Sequence, residues 1–243
     1  MADHTRPPYL IVPVFLAGPD PHATPTVADV LATAGWQPVV EFDSGRRLPL
    51  WRHPDGRRTA RQVPCPQQYA HLPVSDRIRW EFAARTAPGQ QPLWQAWFAP
   101  TTPPELTAAF AAALTDPVGD GSPQGPQPPG APADAETLRP LAEAGWTWQE
   151  ERGEHVWYSP GQLAFLATAV PADPNTPGDE DRHWVVAAHH TTGRTLLWHA
   201  LGTSTTPSHL ITALCRALTD PTPVPRHSPP PPGHGARTVP HPR

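Results

Sequence analysis

The chain has 243 residues, a formal net charge of −4, and 38 prolines beside 17 glycines. Its length exceeds one typical domain, and its acidic balance argues against wholesale nucleic-acid binding, which asks for a basic surface. The prolines lie mostly outside the tryptophan-rich blocks, so the chain is not low-complexity throughout.

In chain order, residues 9–16 read as a buried strand. The run is broken by Pro13 and too short to span a bilayer. Thr26 is placed to cap a helix through Val27, Val30 and Leu31 to Ala34, with Gly35 as its stop. Three strands follow at about 37–43, 47–53 and 57–63, joined by turns at Asp43-Ser44-Gly45 and Pro54-Asp55-Gly56. Trp80, Phe82 and Ala84 alternate with polar residues as in a half-buried strand, turn at Pro88-Gly89, and return through Leu93 to Phe98. Thr102-Pro103-Pro104-Glu105 reads as a capping box opening a helix with an apolar stripe of Leu106, Phe110, Ala113 and Leu114.

The same order then recurs. Trp80, Trp94, Pro103 and Pro117 are matched by Trp184, Trp198, Pro207 and Pro221, each 104 residues on, and Ala34-Gly35-Trp36 is matched by Ala144-Gly145-Trp146. The second copy offers a helix over 135–144 and strands at 146–151, 154–158 and 163–169. A hairpin from Trp184 to Leu201 follows, then a Thr206-Pro207 helix with His209 where a capping box needs Glu or Gln. The expected organisation is a disordered 1–8, repeat 1 over 9–117, and a Pro/Gly-rich linker over 118–133. Repeat 2 then covers 134–221, and 222–243, with eight prolines, is expected to be a disordered tail. The fold class is α+β: two tandem homologous domains, each a small antiparallel sheet with a helix before the Gly-Trp and a capped closing helix.

Leu16-Ala17-Gly18, the helix ending in Ala-Gly-Trp, the Ser159-Pro160 segment, the late tryptophans and the Thr-Pro-capped helix together resemble the actinobacterial SPDY-motif family. The exclusive use of arginine for all 18 basic residues, with Asn175 the single asparagine, fits a high-GC coding bias of that kind. The resemblance implies tandem domains and transfers no catalytic residue. The Ser-Pro-Asp-Tyr tetrapeptide itself is divided: Ser159-Pro160-Gly161-Gln162 in one repeat, His53-Pro54-Asp55-Gly56 in the other.

Four constellations of residues bear on chemistry. Arg46, Arg47, Arg52, Arg57, Arg58 and Arg61, opposed only by Asp55, place a charge of +5 on residues 46–61, with Trp51 able to stack on a base. Repeat 2 lacks the cluster, and the competing reading is a solvated hairpin. Repeat 2 carries His183, His189, His190, His199 and His209. Alternation puts His183 and His189 on one face with His199 on the neighbouring strand, three imidazoles of the kind zinc takes. Arg79, Arg85 and Gln95 replace them in repeat 1 and the spacing is not that of a standard zinc site, so the competing reading is a polar sheet face. Cys215 stands where repeat 1 has Ala111 and reads as packing; Cys65 has no base placed beside it. Most of the ten tryptophans read as core, with Trp51 and Trp97 as the candidates to line a groove.

No Walker loop, dinucleotide fingerprint, nucleophile elbow or His-Glu-x-x-His occurs, and no cofactor or metal is implied. The two cysteines fall at non-equivalent places in the repeats and read as free thiols of a reducing compartment, so the expected location is cytoplasmic, with no membrane partner. The leading functional reading is a non-catalytic interaction module with a protein partner. Nucleic-acid binding through the arginine strands of repeat 1 is the alternative, and an enzyme with a site assembled from distant segments is the third. Oligomeric state is not legible.

Overall fold

The structure, a computed structural model, describes residues 9–20, 26–43, 46–64, 78–115, 135–151, 154–168, 182–191, 195–230 and 233–240. The expected disordered N-terminus 1–8, the linker and Cys65 lie outside the described residues.

Repeat 1 builds helix α1 (Val27–Thr33), strands β2 (Gln37–Asp43), β3 (Arg46–Arg52), β4 (Arg58–Pro64), β5 (Ile78–Arg85) and β6 (Pro92–Phe98), and helix α2 (Pro104–Thr115). Repeat 2 builds α3 (Ala135–Glu143), β7 (Thr147–Glu151), β8 (Glu154–Tyr158), β9 (Ala164–Thr168), β10 (Arg182–His189), β11 (Leu196–Thr203) and α4 (Ser208–Thr219). Both repeats are therefore α+β with antiparallel strands, as the sequence predicts. The ten strands form one sheet in the order β2-β3-β4-β5-β6-β11-β10-β9-β8-β7. The halves meet edge to edge where β6 pairs with β11.

The first helix of each repeat stops for the same local reason. Gly35 and Gly145 both have φ of +78°, a conformation only glycine adopts without strain. Each is followed by a tryptophan whose amide reaches back to Leu31 or Leu141 at 3.0 Å, completing a Schellman motif. Thr26 caps α1 in a true capping box with Asp29, whose carboxyl these bonds hold below its ordinary value. The box expected at Thr102 is used otherwise. The Thr102 hydroxyl donates to the His199 carbonyl, and both Glu105 oxygens receive Arg226.

One face of the sheet carries the helices. Phe82, Trp94, Ala96 and Phe98 from repeat 1 and Trp184, Val186, Trp198 and Ala200 from repeat 2 share a single core with Leu106, Phe110, Leu210 and Leu214. Of the six matched tryptophans, Trp36, Trp94, Trp146, Trp184 and Trp198 are buried and Trp80 is partly so, which accounts for their recurrence as packing.

The ends of the chain correct the sequence reading. Residues 9–16 are not one strand: β1 (Tyr9–Val12) runs into a 3-10 turn at Val14–Leu16. The expected disordered tail supplies β12 (Val224–Arg226) and β13 (Arg237–Val239), which flank β1 on either side in a second, three-stranded sheet. Proline spares these strands because they are short and each uses few ladder bonds. The assembly is pinned to both repeats. Trp198 Nε1 donates to the Phe15 carbonyl at 2.7 Å, and the Arg226 guanidinium donates to the carbonyls of Ala17 and Gly18 and to Glu105. No helix among the described residues is long and apolar enough to cross a membrane.

Candidate functional site

The arginine-rich strands divide between two faces. Arg58 is on the helix side, where its Nη1 donates to the Leu114 carbonyl at the end of α2 and its other nitrogens reach Asp55 and His53. It closes a helix terminus and a turn, which is structural work. Asp55 also accepts from the Arg57 amide at 2.8 Å. Burial raises the Asp55 pKa, but the Arg57 amide, His53 and Arg58 outweigh it and hold the carboxyl below its ordinary value. Arg57 is exposed in this turn. Arg47 is exposed and lies on the same face of β3 as Trp51, which packs on Trp80 with ring centroids 5.3 Å apart. Trp51 is thus a core-edge residue and not a free stacking platform. Arg46 opens β3 opposite Asp43, and its side chain lies outside the described residues.

Arg52 and Arg61 occupy the opposite face. With Arg85, which the sequence reading did not single out as a binding residue, they line a cleft of about 460 Å³ together with Glu41, Leu50, Thr59 and the turn from Pro88 to Pro92. Arg61 donates to Glu81 through Nε at 3.0 Å and Nη2 at 2.9 Å, and its Nη1 lies 3.5 Å from Glu41. Glu81 is only 5% exposed and also accepts from Trp97 Nε1 at 3.2 Å and Gln95 Nε2 at 3.4 Å. A buried carboxylate so satisfied is fixed in place, because removing any donor would strand charge in low dielectric. Arg85 is steered by one bond to the Thr59 hydroxyl at 3.1 Å. The Arg52 side chain makes no hydrogen bond or ion pair with a described residue and is exposed.

Repeat 2 is an internal comparison for this network. Ala60 and Leu166 are equivalent, since they pair with Phe82 and Val186, themselves 104 residues apart. The ladders thus place Ala167 where repeat 1 has Arg61, Tyr158 for Arg52 and Phe165 for Thr59. The 104-residue offset places Val185 for Glu81, Leu201 for Trp97 and His189 for Arg85. The same sheet thus forms with Ala167, Val185 and Leu201 where repeat 1 carries Arg61, Glu81 and Trp97. The difference between the repeats, Glu81 in β5 where the sister strand has Val185, is the sequence signal that could have found this site.

The remaining candidates go elsewhere. His183's side chain lies outside the described residues, and a bulge between Ala188 and His189 breaks the alternation that would align the histidines. Among the described residues, no group of three or more His, Cys, Asp or Glu is placed to hold a metal ion. Cys215 is fully buried in α4, and burial pushes its thiol up to about 12. The Ser-Pro and Pro-Asp segments are the matching hairpin turns. The Ser159 hydroxyl accepts from the Ala164 amide at 2.9 Å, and its amide donates to the Ala164 carbonyl. The His53 amide makes the equivalent bond to Arg58.

The chain belongs to the SPDY family, a domain of unknown function (DUF317), whose model matches twice, over residues 52–119 and 159–224. Neither curated proteins nor solved structures give a match.

Proposed function

We propose that the protein is a non-catalytic, cytoplasmic interaction module that binds a protein partner along the β2 edge of its sheet. The observation that carries this is the state of that edge. No described strand pairs with the outer side of β2, and Val40 and Phe42 on it are 45% and 70% exposed. An apolar trough of about 370 Å³ beside them is lined by Pro38, Val39, Val40, Pro49, Leu50 and Trp51, with Arg47 at its margin. An exposed strand edge with apolar side chains is a template for strand addition. The fitting partner is an extended segment with apolar residues at alternate positions and an acidic residue to meet Arg47. The proline-rich tail uses the backbone of its β12 and β13 to pair with β1 within the chain.

The test is capture of a partner by the full chain, followed by Val40→Asp with Phe42→Asp. Loss of that partner, with retention by Trp148→Asp on the opposite edge strand, supports the proposal. Equal retention by both variants removes it.

A second reading, nucleic acid held by the arginine strands, draws on Arg52 and Arg61 sharing a face with Arg85. It is weakened by the commitment of Arg58 to Leu114 and Asp55. It requires affinity for oligonucleotides that falls steeply with salt.

A further inference from the structure

From the repeat 1 cleft we infer a binding site for the phosphate ester of a small ligand, with Arg52 and Arg85 as the phosphate-binding groups and Arg61 as their fixed neighbour. The inference goes beyond both readings of the partner and stands on a different face from the β2 trough.

Three observations carry it. The first is charge: three guanidinium groups line one cleft of about 460 Å³, within the range of small-molecule sites. Arg61 is already met by Glu81 at 2.9 Å, and Glu41 stands at the rim, nearly half exposed. Arg52 and Arg85 have no carboxylate partner among the described residues. Two unshared guanidinium charges balance a phosphomonoester, which carries roughly −1.5 to −2 at neutral pH; a single carboxylate would leave one uncompensated.

The second is preorganisation. Arg61 on the cleft wall is held by Glu81, which is itself anchored by Trp97 and Gln95, so this guanidinium is fixed before any ligand arrives. Thr59 steers Arg85 at 3.1 Å. Ordering costs at the moment of binding are reduced accordingly. Arginine forks suit phosphate oxygens through paired N–H donors.

The third is the internal comparison. Repeat 2 keeps the strand order and replaces Arg61, Glu81 and Trp97 by Ala167, Val185 and Leu201. Folding of the domain therefore does not require the charges. An ion pair with a buried partner contributes little net stability against an apolar replacement, which leaves recognition as the reason for holding Arg61 at the cleft.

A continuous nucleic-acid strand is the less favoured occupant of this cleft. The basic groups close around one concavity, and Arg58 faces the other side of the sheet.

The experiment is calorimetric titration of the full chain with ribose 5-phosphate, ribose, adenosine 5′-monophosphate, adenosine and a single-stranded oligonucleotide. The phosphorylated members are expected to bind about tenfold or more tighter than their dephosphorylated counterparts. That gap is expected to vanish in Arg52→Tyr with Arg85→His, the residues repeat 2 carries there, while the melting temperature stays near that of the parent. Equal affinity for both phosphates assigns the site to the phosphate alone, and tighter binding of the nucleotide adds a base contact; either outcome supports the inference. No gap between ester and parent compound, a gap that survives in the double variant, or binding of the oligonucleotide without the monophosphates would overturn it.

Discussion

Trp97 and Leu201 occupy equivalent positions in the two repeats and lie directly opposite each other across the β6–β11 ladder. Their flanking pairs, Phe98 with Ala200 and Ala96 with Gly202, are likewise exchanged counterparts, so a pseudo-twofold axis passes through this pair. Neither half can bury its β6 or β11 edge alone. The two closing helices pack against each other over the same axis, and Phe110 of α2 contacts Trp184 of repeat 2, with ring centroids 6.4 Å apart. A chain cut between residues 118 and 133 is therefore expected to stay together. Co-elution of the two pieces under native conditions checks this; separate folded monomers would contradict it.

The symmetry is broken at Gly202, and the break makes a second prediction. Repeat 1 has Phe98 at the matching position, whereas a Cβ on Gly202 would fall 2.5 Å from the Trp184 indole. Trp184 is fully buried and cannot swing aside. Gly202→Ala is expected to destabilise by about 1–3 kcal/mol, the usual cost of overpacking a core. A urea midpoint unchanged from the parent would refute the contact.

Much of the fold is legible locally. The Gly35 and Gly145 stops, the hairpin turns and the closing helices depend on residues within one or two turns of each other, and duplication confirmed each signal by repeating it. The union of the halves is not legible, because the β6–β11 register joins residues about a hundred positions apart and either edge reads as an ordinary strand. The tail misleads for another reason. Its proline content argues for disorder, while the residues that matter, Val224 and Arg226, are two buried side chains hidden in that composition. What the arginines singled out in sequence meet was not legible, since Glu81 and Leu114 reach Arg61 and Arg58 only through the folded sheet.

Arg226 ties the tail to the N-terminal segment and to α2. It is 3% exposed, and Glu105 receives it through two bonds of 2.6 and 2.7 Å. Removing one partner of a buried pair leaves the other charge stranded, at a cost of about 3–5 kcal/mol. Glu105 retains some solvent contact, so Arg226→Ala is expected at the lower end of that range. Chemical denaturation measures it, and amide exchange should show β1 and β12 losing protection before the ten-stranded sheet.

Cys215 is expected to be inert. Burial among Leu210, Ile211, Leu214 and Leu218 raises its thiol to about 12, so the reactive thiolate is scarce at neutral pH. In a Cys65→Ser chain, a thiol reagent is expected to label only after denaturant is added. Prompt labelling of the native chain would place Cys215 in an accessible setting.

The last prediction concerns pH. His234 lies in the tail with its ring 4.9 Å from that of His190, edge to face, and Thr191 bonds the neighbouring Gly233 carbonyl at 3.0 Å. Burial, and then the charge of His190, hold His234 below its ordinary value of 6.5. The folded state consequently binds fewer protons than the unfolded one between that lowered value and 6.5. Stability from this contact is complete above pH 6.5, falls as the pH drops below it, and levels off once the lowered value is passed. Acidification is thus expected to loosen β13 first, seen as faster tail proteolysis below pH 6.5 than above it. His234→Phe keeps an aromatic ring against His190 without a proton to bind, and is expected to flatten that dependence. A tail equally protected at both pH values in the parent chain would remove the histidine pair as its cause.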